Sequence, residues 1–347
     1  MKILKKVLSF IVISILLLHS IENTAYANPD TSIKKPIKVG VFLNDFSNIF
    51  ISDFKNNLEE LQKENSDKIQ FLFFDSQASQ ATENENITKE LNQHLDLFVV
   101  NPVSSNEDEI ADALNKIIQA KLPFILLFPT TPSLTNIVKS YPASIIITGD
   151  AEQGGTLQGK ILADAWNANK DILDKNKDTI MQYIMLQGPT NNVLTLGRSK
   201  YPIRALNDAG IKTENLFSTI CNWQRECAKS AIESAFLTLD GKIEAIIANN
   251  DNMAIGAIET LKKYGFNTGD SSKYIPVVGI GGVPEAKKLI NQGSMTGTAV
   301  QDSKLYAKAI YEAAMNLTSG KEPLQGTDYK FDETGVTIKI PYSEYVK

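Results

Sequence analysis

The stretch from Ile243 to Asp251, IEAIIANND, carries the decisive pattern of the chain. Ile243 and Ala245 to Ala248 form a short, nearly unbroken apolar run, and the chain then turns abruptly polar at Asn249, Asn250 and Asp251. Helical periodicity follows over residues 253–263. A strand that is apolar on both faces, ends in amides and feeds a helix is the repeating unit of a parallel sheet covered on both sides.

The same unit recurs in both directions. Upstream, IKVGVFL (37–43) leads to a helical stretch at 50–63, IQFLFFD (69–75) to one at 81–95, and LDLFVVNP (95–102) to one at 107–120. PFILLFP (123–129) and SIIITGD (144–150) come next. A second set alternates helices at 154–167, 198–209 and 228–239 with TIMQYIMLQG (179–188), IKTENLFST (211–219), IEAIIANND and IPVVGIGG (275–282). The repeat is one of architecture, not of sequence. The fold class expected is α/β, with two doubly wound parallel-sheet lobes. A further helix within 297–320 and an extended VTIKIPY (336–342) imply that the chain passes between lobes more than once. Ligands collect beyond the carboxyl ends of such strands, so two sheets facing each other define a cleft.

Composition removes several functions. The formal charge of -5 leaves no basic footprint, so no nucleic-acid partner is expected. Only two histidines occur, His19 and His94, and the first lies in the expected signal peptide, so histidine-dependent catalysis or a zinc site would rest on His94 alone. His94 lies where the helix of 81–95 would end, and there its charge suits a helix C-terminus. The two cysteines, Cys221 and Cys227, flank NWQRE; the spacing permits a bridge without requiring one.

Residues 1–27 read as a secretory signal peptide: Lys2, Lys5 and Lys6, an apolar run at 7–18, and Ala25-Tyr26-Ala27 before the expected cut. The run is short of the roughly 20 residues that cross a bilayer, and no cysteine follows the cut to carry a lipid anchor. The expected location is the periplasm or the extracellular face of the cell membrane.

Several segments carry a resemblance: DSQASQATENENI (75–87), LNDAGIKTENL (206–216), IEAIIANNDNMAIGAIETLK (243–262), PEAKKLINQGSMTGTAVQD (284–302) and DKNKDTIMQ (174–182). From about residue 37 to 342 the chain resembles the galactose/glucose-binding proteins of bacterial sugar uptake, type I periplasmic binding proteins that serve ABC transporters. The resemblance implies lobes joined by a three-strand hinge, with crossings near 122–124, 300–303 and 339–342. The lobes would then be 36–122 with 302–338, and 123–301 with 339–347. It further implies a monomer that closes on a monosaccharide without covalent chemistry, and so no enzyme. The implied partner is an ABC transporter permease, the alternative being a membrane sensor kinase or chemoreceptor.

In that family a sugar lies between aromatic rings and is gripped by polar side chains. Phe50 and Trp223 match the aromatic positions, and Asn101, Arg198 and Asn250 the polar ones. Asn48, Leu194 and Gly281 stand where the family has aspartates, Asn192 where it has histidine, and Gln301 where it has asparagine. The expectation is that Asn48 and Gln301 still accept through their amide oxygens. An unpaired hydroxyl in a dry cleft costs roughly 1–3 kcal/mol, so the ligand need not be glucose or galactose. A glycosidase needs two carboxylates at one bond, and the aligned cleft positions lack acids.

In DKNKDTIMQ, oxygen-bearing groups recur at Asp174, Asn176, Asp178, the carbonyl of Ile180, and Gln182, the alternate spacing of a calcium loop. Taken alone the run is as consistent with a solvated polar turn. The resemblance supplies a closing carboxylate, Glu244, and with it a structural Ca2+. Thr179 stands where such loops usually have glycine at positive φ.

Overall fold

The apolar runs fold as strands that sort into two six-stranded sheets. The computed structural model describes residues 35–129, 131–239 and 241–347; the expected signal peptide lies outside the described residues. In the first sheet β1 (Ile37–Leu43), β2 (Ile69–Asp75), β3 (Leu97–Val100), β4 (Phe124–Leu127), β5 (Ser144–Gly149) and β11 (Thr337–Ile340) run parallel in the order β11-β5-β4-β3-β1-β2. In the second, β6 (Ile180–Gln187), β7 (Lys212–Ile220), β8 (Ala245–Ala248), β9 (Val277–Gly281), β10 (Gly297–Gln301) and β12 (Tyr342–Val346) take the order β12-β10-β9-β8-β6-β7, with β12 alone antiparallel.

Helices cover both faces. The first sheet carries α1 (Ile49–Glu64), α2 (Gln80–Glu90), α3 (Glu107–Gln119) and α4 (Leu134–Lys139). The second follows with α5 (Ala151–Ala168), α6 (Lys170–Leu173), α7 (Val193–Asp208), α8 (Arg225–Thr238), α9 (Asp251–Lys263) and α10 (Pro284–Asn291). The late helix α11 (Ser303–Thr318) returns to pack on α1 and the first sheet. Period-two alternation splits each strand between two cores: Val39, Val41 and Leu43 join one with Phe54 and Ile310, while Phe42 joins the other with Phe98 and Ile117. In the second sheet Ile184 and Leu186 face α9, and Met181, Tyr183 and Met185 face Trp166.

Strand membership corrects the expected lobe boundaries. Phe124 pairs with Phe98 on one side and Ser144 on the other, so residues 123–149 belong to the first lobe. A strand apolar on both faces needs neighbours at both edges, and β3 and β5 supply them. The first crossing therefore falls at Asp150, not at 122–124. The second falls at Asp302, between β10 and α11, and the third at Pro341. VTIKIPY is not one crossing segment. It breaks at Pro341, which has no N–H for a ladder, and Lys339 and Ile340 stay paired with Thr148 and Gly149. The helix expected over 81–95 stops at Glu90; His94 sits in an exposed turn at φ +58°, not on a helix end.

α5 and α7 dock closely because glycines line the seam. A methyl at Gly159 would lie 2.5 Å from the carbonyl oxygen and 2.9 Å from the Cα of Pro202, backbone that cannot swing aside. Gly159→Ala is expected to cost about 1–3 kcal/mol by overpacking, read as a lowered urea midpoint at constant m-value.

Candidate functional site

Strand ends and helix starts build one cleft of about 660 Å³ between the lobes. From the first lobe come the turn after β1, with Asn44, Asp45 and Asn48, then Asn101 after β3 and Phe128 after β4. From the second come Asn192 and Arg198 after β6, the Asn222-Trp223 turn after β7, Asn250 after β8, and Gln301 at the end of β10. Asn48, Phe50, Asn101, Asn192, Arg198, Trp223, Asn250 and Gln301 all line this cleft, as does Leu194. Gly281 does not; its neighbour Ile280 does.

The aromatic walls come from opposite lobes. Phe50 and Trp223 are half-buried, and each packs against the cores of both lobes. Phe50 meets Phe128 edge to face, 6.0 Å between centroids at 67°. The Arg198 guanidinium lies over the Trp223 ring at 5.7 Å. Leu194 joins the first-lobe core cluster, so an apolar contact stands where the resemblance implied an acid.

Arg198 is 4% exposed and bonded on three sides. Its Nη1 donates to the Asn249 carbonyl at 3.0 Å; its Nη2 donates to Gln301 Oε1 at 3.0 Å and to the Tyr342 hydroxyl at 2.8 Å. Its Nε is buried without a partner.

Amide accounting changes what the asparagines offer. Asn48 Oδ1 caps α1, accepting from Phe50 and Ile51 N–H at 3.0 and 3.4 Å. Asn192 caps α7 in the same way, and Asn250 caps α9. Gln301 Oε1 is taken by Arg198, while its Nε2 donates to Tyr306. Of the two expected acceptors, Asn48 Oδ1 already receives two N–H groups, while Gln301 Oε1 receives one and keeps a second lone pair. Asn250 Nδ2 donates to the Trp223 carbonyl at 3.2 Å, which makes that residue a brace for the aromatic wall. Among the described residues that line the cleft, Asn101 Oδ1 and Asn44 Oδ1 are buried acceptors without a partner.

The aligned positions carry no acids, but acids from other positions reach the cleft. Asp45 and Glu109 line it from the first lobe, and Asp45 uses Oδ1 to hold the Ser47 N–H at 2.8 Å. Asn44, Asp45, Gln80 and Phe128 were missed by sequence reasoning, although three of them follow strand ends just as Asn101 does. Phe128 takes φ +47°, a conformation that no sequence pattern announces.

At Gly281 a side chain has no room. The residue takes φ +148°, and a Cβ would lie 3.0 Å from Asp251 Oδ2. Asp251 accepts from Gly282 and Val283 N–H at 2.5 and 3.0 Å and from Thr298 Oγ1 at 2.6 Å. Burial pushes its carboxyl up, and those bonds oppose the rise.

The oxygen-rich loop closes on itself through hydrogen bonds. Glu244 accepts from Lys175 N–H at 2.6 Å and Gln182 N–H at 3.1 Å, and Asp174 Oδ2 from Thr179 N–H at 3.1 Å. Asp178 accepts from Ile180 N–H and from the amides of Asn176 and Gln182. Among the described residues no three His, Cys, Asp or Glu side chains converge as a metal cluster. Backbone N–H groups bond the Glu244 oxygens that the resemblance assigned to a cation. Two acceptors stay buried and unpartnered, Asp174 Oδ1 and Gln182 Oε1. Thr179 does adopt the left-handed conformation, at φ +68°.

The open question of the cysteines is answered: Cys221 and Cys227 are bridged, with Cα atoms 5.3 Å apart.

With this geometry in view, residues 39–322 match the family model described as periplasmic binding protein domain, and the chain belongs to that family. It is a family of binding proteins, not of enzymes. The chain is 29% identical over 319 residues to the D-galactose/methyl-galactoside binding periplasmic protein MglB of Haemophilus influenzae, covering 92% of each. It is 25% identical to a xylitol-binding protein of Mycolicibacterium smegmatis, over 85% of this chain and 75% of that one. Its fold matches an ABC transporter periplasmic solute binding protein of Actinobacillus succinogenes with bound D-allose at a TM-score of 0.73 and 21% identity, covering 90% and 98%.

Beneath the cleft, Gln80 Oε1 holds the N–H groups of Val103 and Ser104 at 2.9 Å, and its Nε2 donates to Glu83 at 2.8 Å. Burial pushes Glu83 up from 4.5 to about 8, with the Gln80 and Ser76 bonds opposing. The folded state therefore holds this proton where the unfolded chain releases it. Stability from this group is full below about 4.5 and is lost as pH rises toward about 8. Glu83→Gln is expected to flatten that decline, worth on the order of a few kcal/mol, in urea titrations from pH 5 to 8.5.

Proposed function

We propose that the protein captures a neutral monosaccharide or a related polyol between its lobes and hands it to an ABC transporter. The observation that carries this reading is the cleft itself. Two half-buried aromatic rings come from opposite lobes, and around them Asn101 Oδ1, Asn44 Oδ1 and Arg198 Nε are desolvated without partners. A sugar ring offers an apolar C–H face to an aromatic and hydroxyls that both donate and accept. Such a ligand satisfies all three orphaned atoms, each of which costs about 1–3 kcal/mol while unpaired. The relatives that bind galactosides and xylitol support the ligand class, and the transporter named for the allose-bound structure supports the partner. Export to the periplasm or the outer face of the membrane agrees with that role.

The test is a thermal-shift panel of D-galactose, D-glucose, D-allose, D-ribose, xylitol and myo-inositol on the mature chain. At least one raises the midpoint; at a hundredfold excess over Kd the gain is about 2.7 kcal/mol. Trp223→Ala abolishes the shift. Silence across the whole panel would sink the reading.

The loop at 174–182 is read as a structural calcium site, with Asp174, Asn176, Asp178, the Ile180 carbonyl, Gln182 and Glu244 as its ligands. Support comes from the unpartnered Asp174 and Gln182 oxygens and from the charges of Asp174 and Asp178, which help burial to raise Glu244. A divalent cation relieves both. EDTA is expected to lower the midpoint of the sugar-free protein and calcium to restore it, while Glu244→Ala responds to neither.

A further inference from the structure

The wall that carries Trp223 is built on an unfavourable turn. The Gln224 N–H donates to the Cys221 carbonyl at 2.8 Å, closing a four-residue turn whose central residues, Asn222 and Trp223, take φ +49° and +68°. Turns with two left-handed central residues favour Asn-Gly, so Asn222 suits its place and Trp223 does not. A bulky residue holds that conformation only where its surroundings over-determine it.

The Trp223 ring packs against the cores of both lobes, but the turn that carries it lies at the surface. Asn222, Gln224 and Glu226 are exposed, and Gln224, at the N-cap of α8, makes no side-chain capping bond. The Trp223 carbonyl is held by the amides of Asn250 and Asn252 at 3.2 and 3.1 Å. Its ring lies against Gly188, where any side chain would collide with it. These contacts describe the seat but do not close the turn. A covalent bond spans it as well: Cys221, fully buried at the end of β7, is bonded to Cys227 in the first turn of α8, and the strained pair lies inside the ring so formed.

We infer that Cys221 and Cys227 are positioning residues for the cleft: their bridge holds Trp223 in its left-handed conformation, so that the indole is already in place when ligand arrives. Without the bridge the turn relaxes, and the order it supplied must be restored at each binding event. The affinity arm of the test rests on the sugar-binding reading; the spectroscopic arm does not.

The chain has two tryptophans, and Trp166 is buried in the second-lobe core, so acrylamide quenching reports on Trp223. The mature protein is compared with Cys221→Ser/Cys227→Ser, and with the wild type treated with a phosphine reductant in case the double variant folds poorly. Far-UV circular dichroism fixes the folded fraction. The quenching constant is expected to rise at least twofold in the unbridged forms. For whichever sugar of the panel shifts the wild type, Kd weakens about tenfold, a change that relaxing one strained residue accounts for. Unchanged quenching at equal folded fraction overturns the inference, as does an unchanged Kd. If no sugar in the panel binds the wild type, the sugar reading fails and quenching alone decides the role of the bridge.

Discussion

One buried cation organises the cleft. The Arg198 guanidinium, sunk between two α/β lobes, has no carboxylate among its hydrogen-bond partners; it is held by the Asn249 carbonyl, the Gln301 amide and the Tyr342 hydroxyl. Burying a charge on dipoles alone is expensive unless every bond is well aimed. Its partners sit at the end of β8, the end of β10 and the start of β12, two of them beside the crossings at Asp302 and Pro341. The same residue thus fixes the second-lobe floor of the cleft and the strands of the hinge. Replacing it would disturb both.

The asparagines answer to a second constraint, the helix ends. Parallel sheets deliver each strand into a helix, and the first N–H groups of that helix need acceptors. Asn48, Asn192 and Asn250 meet that need, and in doing so point the N-termini of α1, α7 and α9 at the cleft. A residue type chosen for a cap is easily mistaken for a ligand contact, since both functions place amides at strand ends.

The alternation of IEAIIANND and its relatives made the doubly wound lobes legible, because burial on both faces leaves an apolar run that little else produces. Residues 123–149 went to the wrong lobe because PFILLFP looks the same whichever sheet it joins; only pairing with Phe98 and Ser144 decides. The cleft residues were legible as strand-end positions, but which atom of each is free was not. That depends on bonds between distant parts of the chain, such as Gln301 to Arg198. Phe128 and Trp223 at positive φ, and the bridge that spans the second turn, are tertiary facts without a local signature.

The departures at Gly281 and Leu194 from what the resemblance implied then become intelligible. At Gly281 the backbone conformation and the oxygens of Asp251 exclude a side chain, and Leu194 has been drawn into the first-lobe core. The second lobe is left with donors, chiefly Arg198 Nε, and the unsatisfied acceptors Asn44 and Asn101 belong to the first. Under the sugar-binding reading, a hydroxyl between the lobes donates to one wall and accepts from the other. Neither wall alone satisfies it. Ligand binding then favours the closed arrangement by the difference between one bond and two at each such hydroxyl, and a ligand shifts a two-state equilibrium only by such a difference.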